Sequence, residues 1–365
     1  MKNKTVLLVT PSFPPATSGA ATYFSNLVNK LKSRQSWKII VLTTSNSDTK
    51  LIEKKDGYFI YRLIPNMLHS FFLLRILILP LFSFISIFYI SLKYRIELIH
   101  CHSSTAITLG ISFYSVISRK KLIFEVQDLM ALSWLMKLGN IQFYIATGNQ
   151  IKNRLVSFGI SKQKILTITS IPPESCRGIK LMKKKNDSLT FIYVGSLDKK
   201  VKGIDILLQS FQTLLQEKKD IRLKIIGFGP DKDFCENYIS TQELQEKIFM
   251  LGSKSNQETL HEIANSDILI LPSNSEGVPR VILEAFSVAV PVIASGVGGV
   301  PDIVNNNNGI LVPSGDRIEL YKAMQKLANN TLLCQQLGEN AARYVKTLPT
   351  WDELTDQIIE VYNKV

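Results

Sequence analysis

Residues 267–304 read DILILPSNSEGVPRVILEAFSVAVPVIASGVGGVPDIV. Ile268–Leu271 is a short apolar run closed by Pro272, the pattern of a strand buried on both faces. Ser273–Gly277 is polar turn material. Residues 278–289 read as a helix, with Pro279 near the first position, where a missing N–H costs least, and Pro291 as the stop. Val292–Ala294 is a second short strand, and Gly296, Gly298 and Gly299 form the turn after it. Strand, helix and strand in so short a stretch predict an α/β unit.

Two carboxylates mark this stretch. Glu276 falls in the loop before the helix, and Glu284 lies inside the apolar run VILEAF. A helical rise separates them by roughly 10–12 Å. They cannot share one metal ion or one proton, but they suit the two ends of an elongated ligand. Between them, the backbone around Gly277, Val278, Pro279 and Arg280 is a helix start, whose free N–H groups favour an anion. Hydroxyls at both ends and negative charge between describe a nucleotide-diphosphate sugar. The ordinary alternative has Glu276 favouring the helix dipole and Glu284 solvated.

SEGVPRVILEA followed by GVGGVPDIV resembles the E-x7-E signature of retaining glycosyltransferases with the GT-B fold. The resemblance implies two Rossmann-like, doubly wound α/β domains facing a cleft, with the sugar nucleotide held by the C-terminal one. Glu276 would then contact the donor-sugar hydroxyls and Glu284 the ribose. LTFIYVG, ending at Gly195, and SLDKKVKGIDILLQSF after it resemble the family's V-G-R-L…K-G turn and helix. Lys202 matches the lysine that would neutralise the donor diphosphate. Ser196 stands where the family has arginine, so one cation is missing, and Lys199 or Lys200 would have to compensate. Gly252 and Lys254 fall where the family binds the base.

The N-terminal half carries fewer matches. Thr5–Thr10 reads as a strand and Ala20–Lys32 as an amphipathic helix, joined by a loop with three prolines and Gly19. Such a loop can bring backbone amides near a phosphate; the family has two adjacent glycines there, this chain Gly19 and Ala20. Further strands are read at Trp37–Thr43, Tyr58–Leu63, Glu97–Cys101, Lys121–Val126 and Lys164–Thr169, and helix character over Ile141–Ser157. His102 and Ser103 close one strand and would line a cleft, because ligands in open α/β sheets gather at the C-terminal strand ends. The neighbouring His100 and Cys101 do not make a metal set, since no further ligands cluster with them. KLIFEVQDL carries Gln127 and Asp128 where the family has a His-Asp pair, and resembles the EVRDL variant of polysaccharide-assembling members. Gln127 can only donate and accept hydrogen bonds, so an acid–base role is not transferred to it. Asp128 has an ordinary reading as a helix cap.

A length of 365 residues accommodates two domains with ample cores. The division read from the sequence is residues 1–172 as an acceptor-side domain, 173–188 as a basic, proline-containing linker, 189–349 as the nucleotide-sugar domain, and 350–365 as an amphipathic helix. The resemblance implies that this helix returns to the first domain. Four scattered cysteines (Cys101, Cys176, Cys235, Cys334) argue against a disulfide framework or zinc site and fit a reducing compartment. The opening MKNKTVLLVTP is too short an apolar run for a secretory leader.

The net charge of +13 is unevenly placed: residues 1–180 carry +16 and 181–365 carry −3. A basic half fits nucleic acid, an anionic membrane or an acidic acceptor. No nucleic-acid motif or stacking platform is present, so nucleic acid is not expected as a partner. Phe71–Leu92 is a 22-residue run with one charge, Arg75, and one proline, Pro80. Its length suits a membrane span, but a sheet strand follows at once. A buried or half-buried helix pair, an interfacial docking element and a span are the three readings, and the span would tear the sheet apart.

These readings converge on retaining transfer of a sugar from a UDP- or GDP-sugar to a hydroxyl of a lipid-linked saccharide acceptor, as in bacterial surface-polysaccharide assembly. No metal or cofactor is required. The protein would sit in the cytoplasm, peripherally on the inner face of an anionic membrane. Two other readings stay open: an epimerase or hydrolase on the same fold, or a non-catalytic nucleotide-sugar-binding module.

Overall fold

The computed structural model describes residues 4–16, 18–34, 37–45, 49–66, 72–102, 105–127, 137–168, 171–172, 176, 188–277 and 279–365, with the side chains of 72–77 and 105 excepted. Ser103, Asp128 and Val278 therefore lie outside the described residues, as does most of the stretch read as a linker. The chain divides into two compact units, Met1–Thr169 with Pro349–Val365, and Ser170–Leu348.

In the first unit the chain runs β1 (Lys4–Val9), α1 (Gly19–Ser33), β2 (Trp37–Ser45), β3 (Ile52–Lys55), β4 (Tyr58–Pro65), α2 (Phe72–Lys93), β5 (Leu98–His102), α3 (Thr105–Ile117), β6 (Lys121–Val126), β7 (Ile141–Thr147), α4 (Asn149–Ser157) and β8 (Ile165–Ile168). Its eight-stranded sheet has the order β3-β4-β2-β1-β5-β6-β7-β8 and is parallel except where β3 meets β4. Period-2 alternation divides the strands between two layers. Leu7, Val9, Ile40, Leu42, Ile99 and Cys101 pack with Ile87 and Ile90 of α2, Ile107 and Ile111 of α3, and Leu155 of α4.

The opposite face holds α1 and the last helix, α12 (Trp351–Lys364). Helix α12 starts in a capping box: Glu353 N donates to Thr350 Oγ1 at 3.0 Å, and Thr350 N donates to Glu353 Oε2 at 2.6 Å. Trp351, Leu354, Ile358, Val361 and Tyr362 are buried along one stripe. Each large side chain so buried stabilises by roughly 1.5–3 kcal/mol, which outweighs the rim ion pairs Lys30–Asp352 and Arg34–Asp356, both at 3.1 Å.

Two sequence expectations fail here. Ile141–Ser157 is not one helix: Gly148, at φ 108°, separates strand β7 from helix α4, and the β-prone IQFYIAT pairs with β6 and β8. The apolar run is not a helix pair either, because α2 continues through Pro80. Among the described residues no helix is long and apolar enough to cross a membrane. The described side chains of α2 begin at Ile78, and Leu79, Ser83, Ile87 and Ile90 on one flank are buried.

The second unit is β9 (Leu189–Val194), α5 (Lys199–Lys202), α6 (Ile204–Glu217), β10 (Ile221–Ile226), α7 (Lys232–Thr241), β11 (Ile248–Gly252), α8 (Asn256–Ala264), β12 (Ile268–Leu271), α9 (Arg280–Ser287), β13 (Val292–Ser295), β14 (Gly309–Val312), α10 (Arg317–Ala328) and α11 (Thr331–Thr347). Its all-parallel sheet has the order β11-β10-β9-β12-β13-β14. This is a doubly wound, Rossmann-like order that reverses between β9 and β12. Phe191 and Tyr193 of β9 face a core with α6, α7 and α10, while Ile192 faces the other core with α8 and α9. Helix α9 is shorter than the sequence pattern implied. Pro279 caps it from outside, and it ends before Ala289, which turns left-handed at φ 59° two residues ahead of Pro291.

Candidate functional site

The strand order of the second unit reverses between β9 and β12, and in open α/β sheets ligands gather outside the C-terminal strand ends at such a reversal. The loops after these two strands are tied together. Asn274 N donates to the Val201 carbonyl at 2.9 Å, and Asn274 Nδ2 to the Lys200 carbonyl at 3.1 Å. Across this junction Lys202 Nζ lies 2.6 Å from Glu276 Oε1, and the Ser273 hydroxyl donates to the same oxygen at 2.7 Å. The Glu276 side chain is 8% exposed and that of Lys202 22%. Partial burial and the shared hydrogen bond hold this charged pair in one geometry, the kind of arrangement that preorganised recognition uses.

The glycine turn after β13 closes on this loop. A Cβ on Gly298 would fall 1.8 Å from the Glu276 carbonyl oxygen, and its φ is +55°. Only glycine fits there. Gly299 N then donates to the Gly277 carbonyl at 2.7 Å. Two stretches picked out separately in the sequence thus form one wall.

Arg280 and Glu284 sit one turn apart on α9, both half-buried. Desolvation pushes the Glu284 carboxyl up, and the Arg280 charge opposes it. Ser196 is exposed, and its carbonyl accepts from the Tyr193 hydroxyl at 2.6 Å. Lys199 does not stand in for the missing arginine, since its ammonium is 3.2 Å from Asp231 Oδ1 and lies over the Phe234 ring. Gly252 ends β11 and Lys254 follows it, two strands from β9.

In the first unit the order reverses between β1 and β5. Gly19 opens α1, whose cap is Ser18, with Ala21 N donating to Ser18 Oγ at 3.1 Å. His102 ends β5, buried against the Phe24 ring. Gln127 follows β6, and its Nε2 donates to Glu125 Oε1 at 2.7 Å. The other oxygen, Glu125 Oε2, lies 3.1 Å from His100 Nε2, and His100 Nδ1 lies 2.6 Å from the Tyr362 hydroxyl oxygen. Glu125, His100 and Tyr362 are fully or almost fully buried, and burial raises the Tyr362 hydroxyl well above its usual range.

Sequence reasoning missed Ser273, which sat unremarked in a polar turn. It also missed the Glu125–His100–Tyr362 network, although an acidic residue inside KLIFEV was a readable signal of the same kind as Glu284 in VILEAF. Among the described residues no cluster of three or more His, Cys, Asp or Glu side chains could hold a metal ion.

Residues 180–344 match the family model for glycosyl transferases group 1. The amylovoran biosynthesis glycosyltransferase AmsK of Erwinia amylovora is 28% identical over 185 residues, 48% of this chain and 45% of that protein. The chain spans less than half the length of this and comparable curated relatives. Among solved structures, sucrose-phosphate synthase from Thermosynechococcus elongatus superposes with a TM-score of 0.80 at 18% identity, over 99% of this chain and 98% of that one. Anabaena HepE in complex with UDP and glucose gives 0.77 at 16% identity, over 99% and 100%. At these identities the likeness establishes the fold: two Rossmann-like α/β units as in GT-B glycosyltransferase structures.

Proposed function

We propose that this chain is a retaining glycosyltransferase acting on a nucleotide-diphosphate sugar, with the donor on the unit that holds residues 189–348. The observation that carries the reading is the Lys202–Glu276 pair, steadied by Ser273 at the strand-order reversal. The family match over 180–344 supports it. Lys202 would meet the donor diphosphate, whose negative charge grows as the bond from the anomeric carbon to phosphate oxygen breaks. Glu276 would then be released to the sugar hydroxyls, and Ser273 keeps it oriented. Glu284 would take the ribose, the start of α9 around Gly277, Pro279 and Arg280 the phosphates, and the segment from Gly252 to Lys254 the base. His102 and Gln127 would belong to the acceptor side.

The acceptor oxygen forms its bond to the anomeric carbon on the face the diphosphate leaves, and its proton goes to a leaving phosphate oxygen. That route needs no protein base, which accords with Gln127 in place of histidine. The donor is a UDP- or GDP-sugar, and the UDP complex of the Anabaena protein favours UDP. The likeness to the amylovoran biosynthesis glycosyltransferase supports a saccharide acceptor, which we place on a lipid at the inner face of the cell membrane.

The test measures donor consumption with the purified 365-residue chain, with and without acceptor lipid. Transfer that depends on acceptor and retains the donor's anomeric configuration is the expected result. Hydrolysis or epimerisation without acceptor would replace the reading, and binding without turnover would reduce the chain to a binding module.

A further inference from the structure

We propose that the outer face of α2 and α3 is a docking surface for a bilayer rich in acidic headgroups. The two helices lie side by side on one face of the first unit's sheet. Gly110 of α3 allows it, since a Cβ there would stand 2.0 Å from the Pro80 carbonyl oxygen. The Ser83 hydroxyl reaches across to the Ile107 carbonyl at 3.0 Å, and Phe84 of α2 packs between Phe113 and Tyr114 of α3.

Each helix buries one stripe and leaves the other outside. On α2 the outer stripe is Phe82, Ile85, Phe88 and Leu92, spaced three and four residues apart, with Leu81 four residues before Ile85. On α3 it is Phe113, Val116 and Ile117. Leu92 is 71% exposed and Ile117 62%. With Tyr89, these two helices carry nine of the sixteen exposed large apolar side chains among the described residues. A solvated helix face would be polar. A contiguous apolar face of this kind marks an interaction surface.

Charge decides what covers it. Both helices lead into parallel strands, so their C-terminal ends share the same edge of the sheet. Lys93 and Arg95 follow Leu92 there, and Arg119 and Lys120 follow Ile117. Between residues 72 and 124 Glu97 is the sole acid, and Arg95 Nε is 3.6 Å from it. Lys121 is occupied by the Val365 carbonyl. An apolar face with a basic end matches acyl chains bordered by anionic phosphates, whereas an apolar protein surface would not require the basic end. Long basic side chains reach headgroups while their stems stay on the apolar face. The helices lie on the bilayer without crossing it, because α2 is fixed to the sheet along Leu79, Ser83, Ile87 and Ile90.

This inference does not rest on the transfer reading, and its test reads binding alone. The 365-residue chain is sedimented with phosphatidylcholine vesicles, with and without phosphatidylglycerol, at low and high salt. Binding to the acidic vesicles that is largely lost in high salt is expected. Ile85→Glu with Ile117→Glu should weaken it at least ten-fold with an unchanged thermal melt, because both side chains already face outward. Arg95→Ala with Arg119→Ala should weaken it roughly five-fold per charge. No sedimentation with acidic vesicles, or equal binding by the glutamate variant, overturns the proposal. So does a dimer in analytical ultracentrifugation that the glutamate variant splits while vesicle binding is absent, since a second copy would then cover the face.

Discussion

The strand-end edges of the two units use charge in opposite ways. At the reversal in the second unit, Lys202 and Glu276 meet at 2.6 Å, with the lysine side chain partly exposed. In the first unit the corresponding edge presents Gly19, His102 and Gln127. Its carboxylate, Glu125, points inward to His100, and through it to Tyr362 of α12. One edge leaves a charged pair partly exposed, and the other buries its carboxylate beside a terminal helix. Similar topology therefore does not imply similar chemistry, because each loop after a strand is free to place its own side chains.

Lys202→Ala would separate the two edges most sharply. If Lys202 carries the diphosphate charge, transfer should fall about 100- to 1,000-fold in a steady-state assay, with a cooperative thermal melt retained. Lys199 cannot rescue it while paired with Asp231. Near-normal turnover would move recognition away from this pair and erase the contrast.

Glu125→Ala tests the other edge. It strands the buried His100 ring and the Gln127 amide, and should cost about 2–4 kcal/mol in urea denaturation followed by Trp fluorescence, Trp351 being part of the affected layer. A variant as stable as the parent would show that the network holds nothing.

Glu284→Gln sharpens the picture within the second unit, where a desolvated carboxylate that we propose for ribose binding would cost the fold stability. Loss of a charged hydrogen bond to ribose should weaken nucleotide binding by about 1–3 kcal/mol in calorimetric titration. Stability should move the other way. Desolvation holds the folded carboxyl above its ordinary range, so as pH rises the unfolded chain ionises first and stability is lost. The variant should therefore melt higher than the parent at neutral pH, and the gap should close below about pH 4, where both states are protonated. Equal melting at neutral pH would mean the site is better solvated than its geometry implies.

The smallest effect is expected for Tyr362→Phe, which deletes one hydroxyl and leaves the packing. About 1 kcal/mol should be lost, measured by urea denaturation, with nucleotide affinity unchanged. A change in affinity would couple α12 to the donor edge and blur the distinction between the two.

The alternation of short apolar runs with turn residues was enough to read the α/β class from the sequence, since a strand buried on both faces admits few other patterns. Strands β6 and β12 fall on the residues read for them, and β9 within one residue. Glu284 and the glycine turn at Gly298 were legible because an acid in an apolar helix and a cluster of glycines are both costly without a reason. Local patterns did not resolve β7 from α4, because a β-prone run followed by an amphipathic one looks like a single apolar stretch until a sheet claims half of it. Only the tertiary structure brought Ser273 to Glu276, Glu125 to His100, and Tyr362 across 262 positions of sequence to the same ring. It alone determined which side of α2 faces the core. Periodicity says that a helix has faces, but α2 is apolar all round, and the face it buries is chosen by the sheet and by α3. Long-range pairing of this kind depends on which elements become neighbours, and no window of sequence contains that information.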